Sequence, residues 1–241
     1  MASSNARKLC KLFSYQPDGD QPRPTLLWPD HIRLRPASLI LILGPSGSGK
    51  STLLRTIHRA HPATALPASD RQINWTRPAI DAIPRPLEQA LRIAGLCGLA
   101  DVPQLIRPAR RLSSGQRHRL ILAHTVAVAL ERNATTLLLD EFAEPLDRLC
   151  AWVLAHGVRR LANATRLCFV VATSHDDLIE PLAPDAVLLL DQNTIHTCTG
   201  PLQPGPSTPP EPPPDPPATP TACPLPEEHL LQPAEARHAA A

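Results

Sequence analysis

The nonapeptide GPSGSGKST, Gly44–Thr52, constrains this chain more than any other feature. It satisfies G-x-x-x-x-G-K-[ST] through Gly44, Gly49, Lys50 and Ser51. The apolar run SLILIL enters it and STLLRTIHR leaves it, so the pattern lies where a buried strand hands over to a helix. A Gly/Ser-rich turn that matched by chance would have no reason to carry both flanks. Glycines let the backbone curl until successive N–H groups face one anion, and the helix N-terminus adds its dipole. Gly44, Pro45, Ser46, Gly47, Ser48, Gly49, Lys50, Ser51 and Thr52 are therefore the expected cradle for the phosphates of a nucleoside triphosphate. Lys50 is expected to reach the β- and γ-phosphates, and the Ser51 hydroxyl to hold Mg²⁺.

Around this loop the chain alternates strand-like and helix-like runs. Leu39–Leu43, Thr136–Asp140, Cys168–Thr173 and Ala186–Leu190 read as buried parallel strands. Ser51–Arg59, Leu87–Leu96, Gly115–Leu130 and Leu149–Leu161 read as helices. That order implies an α/β fold, a mainly parallel sheet flanked by crossover helices, over residues 26–199. Residues 1–25 are turn-rich and read as a flexible N-terminal segment. Thirty prolines far exceed the usage of about 5% seen on average, and they crowd into PLQPGPSTPPEPPPDPPATPTACPLP. Residues 200–241 thus read as a disordered, proline-rich tail of polyproline type, with a ligand for a proline-binding domain as the alternative.

Composition narrows the function classes. A net charge of +2, from 24 basic and 22 acidic residues, does not suit a DNA-coating protein. Aromatic residues make up 3%, so the core must be aliphatic. The six cysteines form no C-x-x-C pair, which favours reduced thiols and a cytoplasmic location over zinc or a disulfide framework. Met1–Lys11 has no apolar core of a signal peptide. No apolar run approaches the roughly 18–20 residues of a membrane span, so no membrane insertion by this chain is expected.

The segment TLLLDEF, Thr136–Phe142, is an apolar strand ending in two acids. A buried parallel strand delivers Asp140 to the C-terminal edge of the sheet, where ligands bind in open α/β folds. Asp140 is there the second expected Mg²⁺ ligand, and Glu141 is placed to polarise the attacking water.

Between the two motifs lies LSSGQRHRLILA, Leu112–Ala123, which resembles the LSGGQ signature of the ABC-type ATPases, with Ser114 in place of a glycine. Glu144-Pro145-Leu146-Asp147 stands where that family has its D-loop, and CFVVATSHDD resembles its next strand followed by a switch histidine, His175. The 34 positions from Glu141 to His175 (175 − 141) suit the family as well. The resemblance covers roughly Leu39–Asp191. It implies a P-loop NTPase that binds and hydrolyses ATP with Mg²⁺ and forms a head-to-tail homodimer on ATP binding. Ser113, Gly115, Gln116 and Asp147 would complete the nucleotide site across the interface, with Glu141, Lys50 and His175 carrying the chemistry. For Ser113 a local helix cap is the alternative.

The second half looks closest to a minor branch, soluble ABC-type ATPases often fused to a predicted acetyltransferase domain, of which only the ATPase part is visible here. Three departures from the family stand out. Only 61 positions separate Lys50 from Arg111 (111 − 50), so the helical subdomain must be shortened. Gln72, Gln89 and Gln104 make no convincing Q-loop, the segment that couples a transporter ATPase to its membrane domain. Tyr15 and Trp28 are candidates for stacking on the nucleotide base, with plain packing as the alternative for Trp28. The cluster Arg107, Arg110, Arg111, Arg117 and Arg119 leaves DNA contact open against a solvated helix face. Three readings follow: a soluble ATPase driving an unknown protein partner, a transporter ATPase subunit, or a nucleotide-gated binding module with negligible hydrolysis.

Overall fold

The computed structural model describes residues 27–29, 31–191 and 194–199. All belong to the first of the two units into which the chain divides, Met1–Gln203 and Pro204–Ala241. The expected N-terminal segment 1–25, Tyr15 and the proline-rich tail 200–241 lie outside the described residues.

Six strands form one sheet: β1 (Leu39–Leu43), β2 (Ala65–Pro67), β3 (Thr136–Leu139), β4 (Cys168–Thr173), β5 (Ala186–Asp191) and β6 (Thr194–Thr199). Their order is β2-β3-β4-β1-β5-β6. The first five run parallel, and β6 pairs antiparallel to β5 at the edge. β1 is LILIL and wholly buried because both faces of the sheet are covered. Its alternation divides it between two cores. Leu39, Leu41 and Leu43 enter one; Ile40 and Ile42 enter the other. β3 and β4 split in the same way, with Leu137, Leu139, Phe169 and Val171 on the first face and Leu138, Val170 and Ala172 on the second.

The second face is closed by α1 (Lys50–Ala60), through Leu53, Leu54 and Ile57. The first face is closed by α2 (Leu87–Leu96), α4 (Ser114–Glu131) and α5 (Arg148–Thr165). Between β2 and α4 the only α-helices are α2, of 10 residues, and α3 (Val102–Ile106), of 5, so the helical subdomain is indeed short. A last short helix, α6 (Ile179–Leu182), follows β4. At the α2–α5 crossing, a Cβ on Gly157 would lie 1.9 Å from the Leu96 carbonyl oxygen, so the two backbones meet there without a side chain between them.

The parallel strands all point the same way, so the loops after β1, β3 and β4 emerge together at one edge, side by side in the order β3-β4-β1. These loops hold the expected site residues.

Candidate active site

β1 ends at Leu43 and the chain turns into α1 through Gly44–Gly49. A Cβ on Gly44 would lie 2.4 Å from the Leu190 carbonyl oxygen and 2.8 Å from Ser48 Oγ, so no other residue fits against β5. Gly49 caps α1 with φ near 100°, a left-handed backbone that side chains other than glycine's resist. The first-turn amides of α1 therefore have no capping side chain and face the loop. Lys50 Nζ donates to the carbonyls of Gly44 (2.6 Å) and Pro45 (2.9 Å), which holds the ammonium over the loop. Ser48 Oγ is buried without a hydrogen-bond partner in the protein. An unpaired buried hydroxyl, open amides and a lysine at one turn fit a bound phosphate.

β3 delivers Asp140 and Glu141 to the same edge, and both side chains are exposed. Asp140 Oδ1 accepts from the Glu141 N–H at 3.1 Å. The turn that follows is tight, with Glu141 and Ala143 at φ 48° and 65°. Left-handed backbone at two non-glycine residues costs free energy and persists only where neighbours enforce it. Here the enforcement comes from Phe142. Its ring is buried, its N–H donates to the Ala172 carbonyl (2.9 Å), and its own carbonyl accepts from Thr173 Oγ1 (3.1 Å). β4 thus fixes the turn that presents Glu141. The hard oxygen donors of Ser51 and Asp140 are those Mg²⁺ prefers, and they fit that ion.

Thr173 Oγ1 also accepts from the His175 N–H at 3.2 Å, which ties the turn after β4 to the turn after β3. His175 Nε2 lies 3.6 Å from Glu144 Oε2, and Ser174 Oγ donates to Glu144 Oε1 at 2.6 Å. The Ser174 hydroxyl, with help from the charges of His175 and Lys50, holds the Glu144 carboxyl below the usual carboxylate range. Glu144 and Ser174 were not among the residues expected to form the site; their pairing spans 30 positions, and only the adjacency of β3 and β4 brings it about.

The signature segment opens α4. Ser113 Oγ accepts from the Gln116 N–H at 3.3 Å, and Gln116 Oε1 accepts from the Ser113 N–H at 3.0 Å, a reciprocal capping box. The local role read for Ser113 is therefore real, and its hydroxyl proton is still free to donate. The segment packs on the D-loop: a Cβ on Gly115 would come within 2.8 Å of Leu146 Cδ2. One turn on, His118 Nε2 accepts from the Ala143 N–H at 3.4 Å, another contact the sequence did not disclose. Burial, and then Arg119, hold the His118 imidazole below its ordinary value. Asp147 caps α5 by accepting from the Cys150 N–H at 2.9 Å, which lowers its own pKa.

The remaining candidates lie elsewhere. Trp28 packs against the second core and donates its indole N–H to the Ile32 carbonyl (2.9 Å). Gln72 follows β2 and accepts from Arg132 at the end of α4 (3.3 Å), while Gln89 sits on α2 and Gln104 on α3. Two members of the arginine cluster are already engaged. Arg119 donates to the Gly98 carbonyl (2.8 Å), and Arg117 bonds to the Arg110 carbonyl and lies over the Trp75 ring.

No family model matches the chain. The sequence is 32% identical over 184 residues to a zinc import ATP-binding protein of Ruegeria pomeroyi, covering 69% of this chain and 70% of the relative. It is 28% identical over 219 residues to a sulfate/thiosulfate import ATP-binding protein of Cucumis sativus, covering 74% of this chain but only 60% of that relative. In fold it matches the dimeric structure of a bacterial ABC transporter cassette, with a TM-score of 0.56 and 17% identity over 70% of this chain and 88% of that one. With the phosphate loop, the acidic strand end and the histidine turn at one sheet edge, these likenesses show that the chain belongs to the ABC ATPase family, P-loop enzymes that bind and hydrolyse ATP.

Proposed function

We propose that this chain hydrolyses ATP in a head-to-tail homodimer, in which the phosphate loop of one copy faces the signature of the other. The observation that carries this reading is the separation of the two half-sites. Lys50, Asp140, Glu141 and His175 come from the loops after β1, β3 and β4, whereas Ser113 and Gly115 open α4, where Ser113 is bonded to Gln116 and Gly115 packs on Leu146. Ser113 and Gly115 have no described contact with the chain's own phosphate loop, so a second copy is needed to use them.

In this mechanism the amides of residues 44–52 and Lys50 hold the triphosphate. Ser51 and Asp140 would hold Mg²⁺, which when bound neutralises charge on the β- and γ-phosphates. Glu141 orients the attacking water and takes up its proton on the carboxylate. His175 donates to the γ-phosphate, and from the partner copy the Ser113 hydroxyl and the open amides of Ser114 and Gly115 do the same. Asp147 lines the same interface. ATP then fastens the dimer, and hydrolysis loosens it.

The work done by this cycle goes to another protein. The resemblance to soluble, non-transporter ABC ATPases leads our reading, and the lack of a convincing Q-loop glutamine among Gln72, Gln89 and Gln104 supports it. A transporter ATPase subunit is the second reading, favoured by the import proteins among the relatives. No helix among the described residues is long and apolar enough to cross a membrane. ATP turnover tests the proposal directly. Lys50→Ala and Glu141→Gln should each lower kcat by at least about a hundredfold, the scale of losing a charge-stabilising or water-activating group. Wild-type turnover in either variant would refute it. Recovery of the tagged chain with the membrane fraction, bound to an integral membrane protein, would move the second reading to first place.

A further inference from the structure

The carboxylate of Glu144 lies beside His175, which the proposed mechanism assigns to the γ-phosphate. Ser174 Oγ donates to one oxygen at 2.6 Å, and His175 Nε2 lies 3.6 Å from the other. Lys50 is close enough for its charge to act on the same carboxyl. Glu144 is ionised at neutral pH, since all three neighbours favour the anion and little burial opposes it. Asp140 and Glu141 add two further carboxylates at this edge. An anion arriving beside His175 therefore meets one that already uses it, while Lys50 stays bonded to the Gly44 and Pro45 carbonyls.

We infer that Glu144 sets the discrimination between nucleoside tri- and diphosphates, because its carboxylate and the γ-phosphate compete for His175. This rests on the proposed placement of the γ-phosphate. The terminal phosphate of ATP must turn Glu144 aside, whereas the β-phosphate of ADP, one phosphate deeper in the loop, need not. Glu144 is half-exposed and has room to swing away. The competition thus lowers affinity for the triphosphate selectively, without blocking it. No other residue of the Glu144–Asp147 turn can play this part. Pro145 and Leu146 carry no charge, and the Asp147 carboxylate is committed to the cap of α5.

The test compares equilibrium affinities for Mg-ADP and for a non-hydrolysable Mg-ATP analogue in wild type, Glu144→Gln, Glu144→Ala and Lys50→Ala. Glu144→Gln keeps an acceptor for Ser174, so the turn is preserved while the charge is removed. Both Glu144 variants should bind the analogue about five- to tenfold more tightly, the scale of one removed charge in a part-exposed site. Binding of Mg-ADP should change less than about twofold. Unchanged or weaker analogue binding, or an equal gain for ADP, overturns the inference. Thermal melts that match wild type exclude misfolding as the cause. Lys50→Ala separates the inference from the reading beneath it: if that variant binds both nucleotides as wild type does, the phosphate site itself is misplaced.

Discussion

His118 joins the signature helix to the turn that carries Glu141, and it does so only when neutral. Its Nε2 accepts from the Ala143 N–H, so a proton on that nitrogen breaks the contact. Burial and Arg119 depress its folded pKa below the ordinary 6.5. A depressed histidine stabilises the fold fully above its unfolded value, and that contribution is lost as pH falls from there through the folded value. Urea unfolding across this range should therefore show wild-type stability dropping below pH 6.5 more steeply than that of His118→Gln. Parallel pH profiles for the two proteins would contradict this. That Lys50, Ser51, Asp140 and Glu141 would gather at one sheet edge was legible in the sequence, because each belongs to a short pattern that directly follows a buried strand. His118, Ser174 and Glu144 were not, because their partners are set by packing between α4, β3 and β4 rather than by spacing along the chain.

Among the elements, the strands were legible wherever both faces are buried. An uninterrupted apolar run such as LILIL has few other places to go, and the expected β1, β4 and β5 match the structure to within a residue. β2 escaped because it is three residues long and ends in Pro67, which is tolerated only at a sheet edge. β6 escaped because its sequence, TIHTCT, sets Ile195 among polar residues and offers little hydrophobic signal. α5 runs to Thr165, four residues past its expected end at Leu161, because Ala162 is still buried and Thr165 Oγ1 donates back to the Leu161 carbonyl. The α2–α5 crossing gives a prediction of its own. Gly157→Ala should destabilise the fold by about 1–3 kcal/mol, the usual cost of overpacking, with a lower urea midpoint and an unchanged slope. An unchanged midpoint would mean that α2 is not seated on α5 as described.

At the scale of the whole molecule, three loops gather at one sheet edge, and in the proposed head-to-tail reading the signature serves the phosphate loop of a second copy, so that one copy holds two half-sites. If a second copy closes the site, ATP fastens the dimer, and Glu141→Gln, expected to bind ATP but turn it over slowly, should elute as a dimer with ATP and as a monomer without it. A protein that stays monomeric at saturating ATP would leave the half-sites unexplained. The most direct test of the shared site mixes two inactive variants, Lys50→Ala and Ser113→Arg. A mixed dimer has one site with an intact loop from one copy and an intact signature from the other. Turnover should therefore reappear on mixing, up to about a quarter of wild type, since half the dimers are mixed and one of their two sites is whole. A mixture as inactive as either folded variant alone would contradict the head-to-tail site.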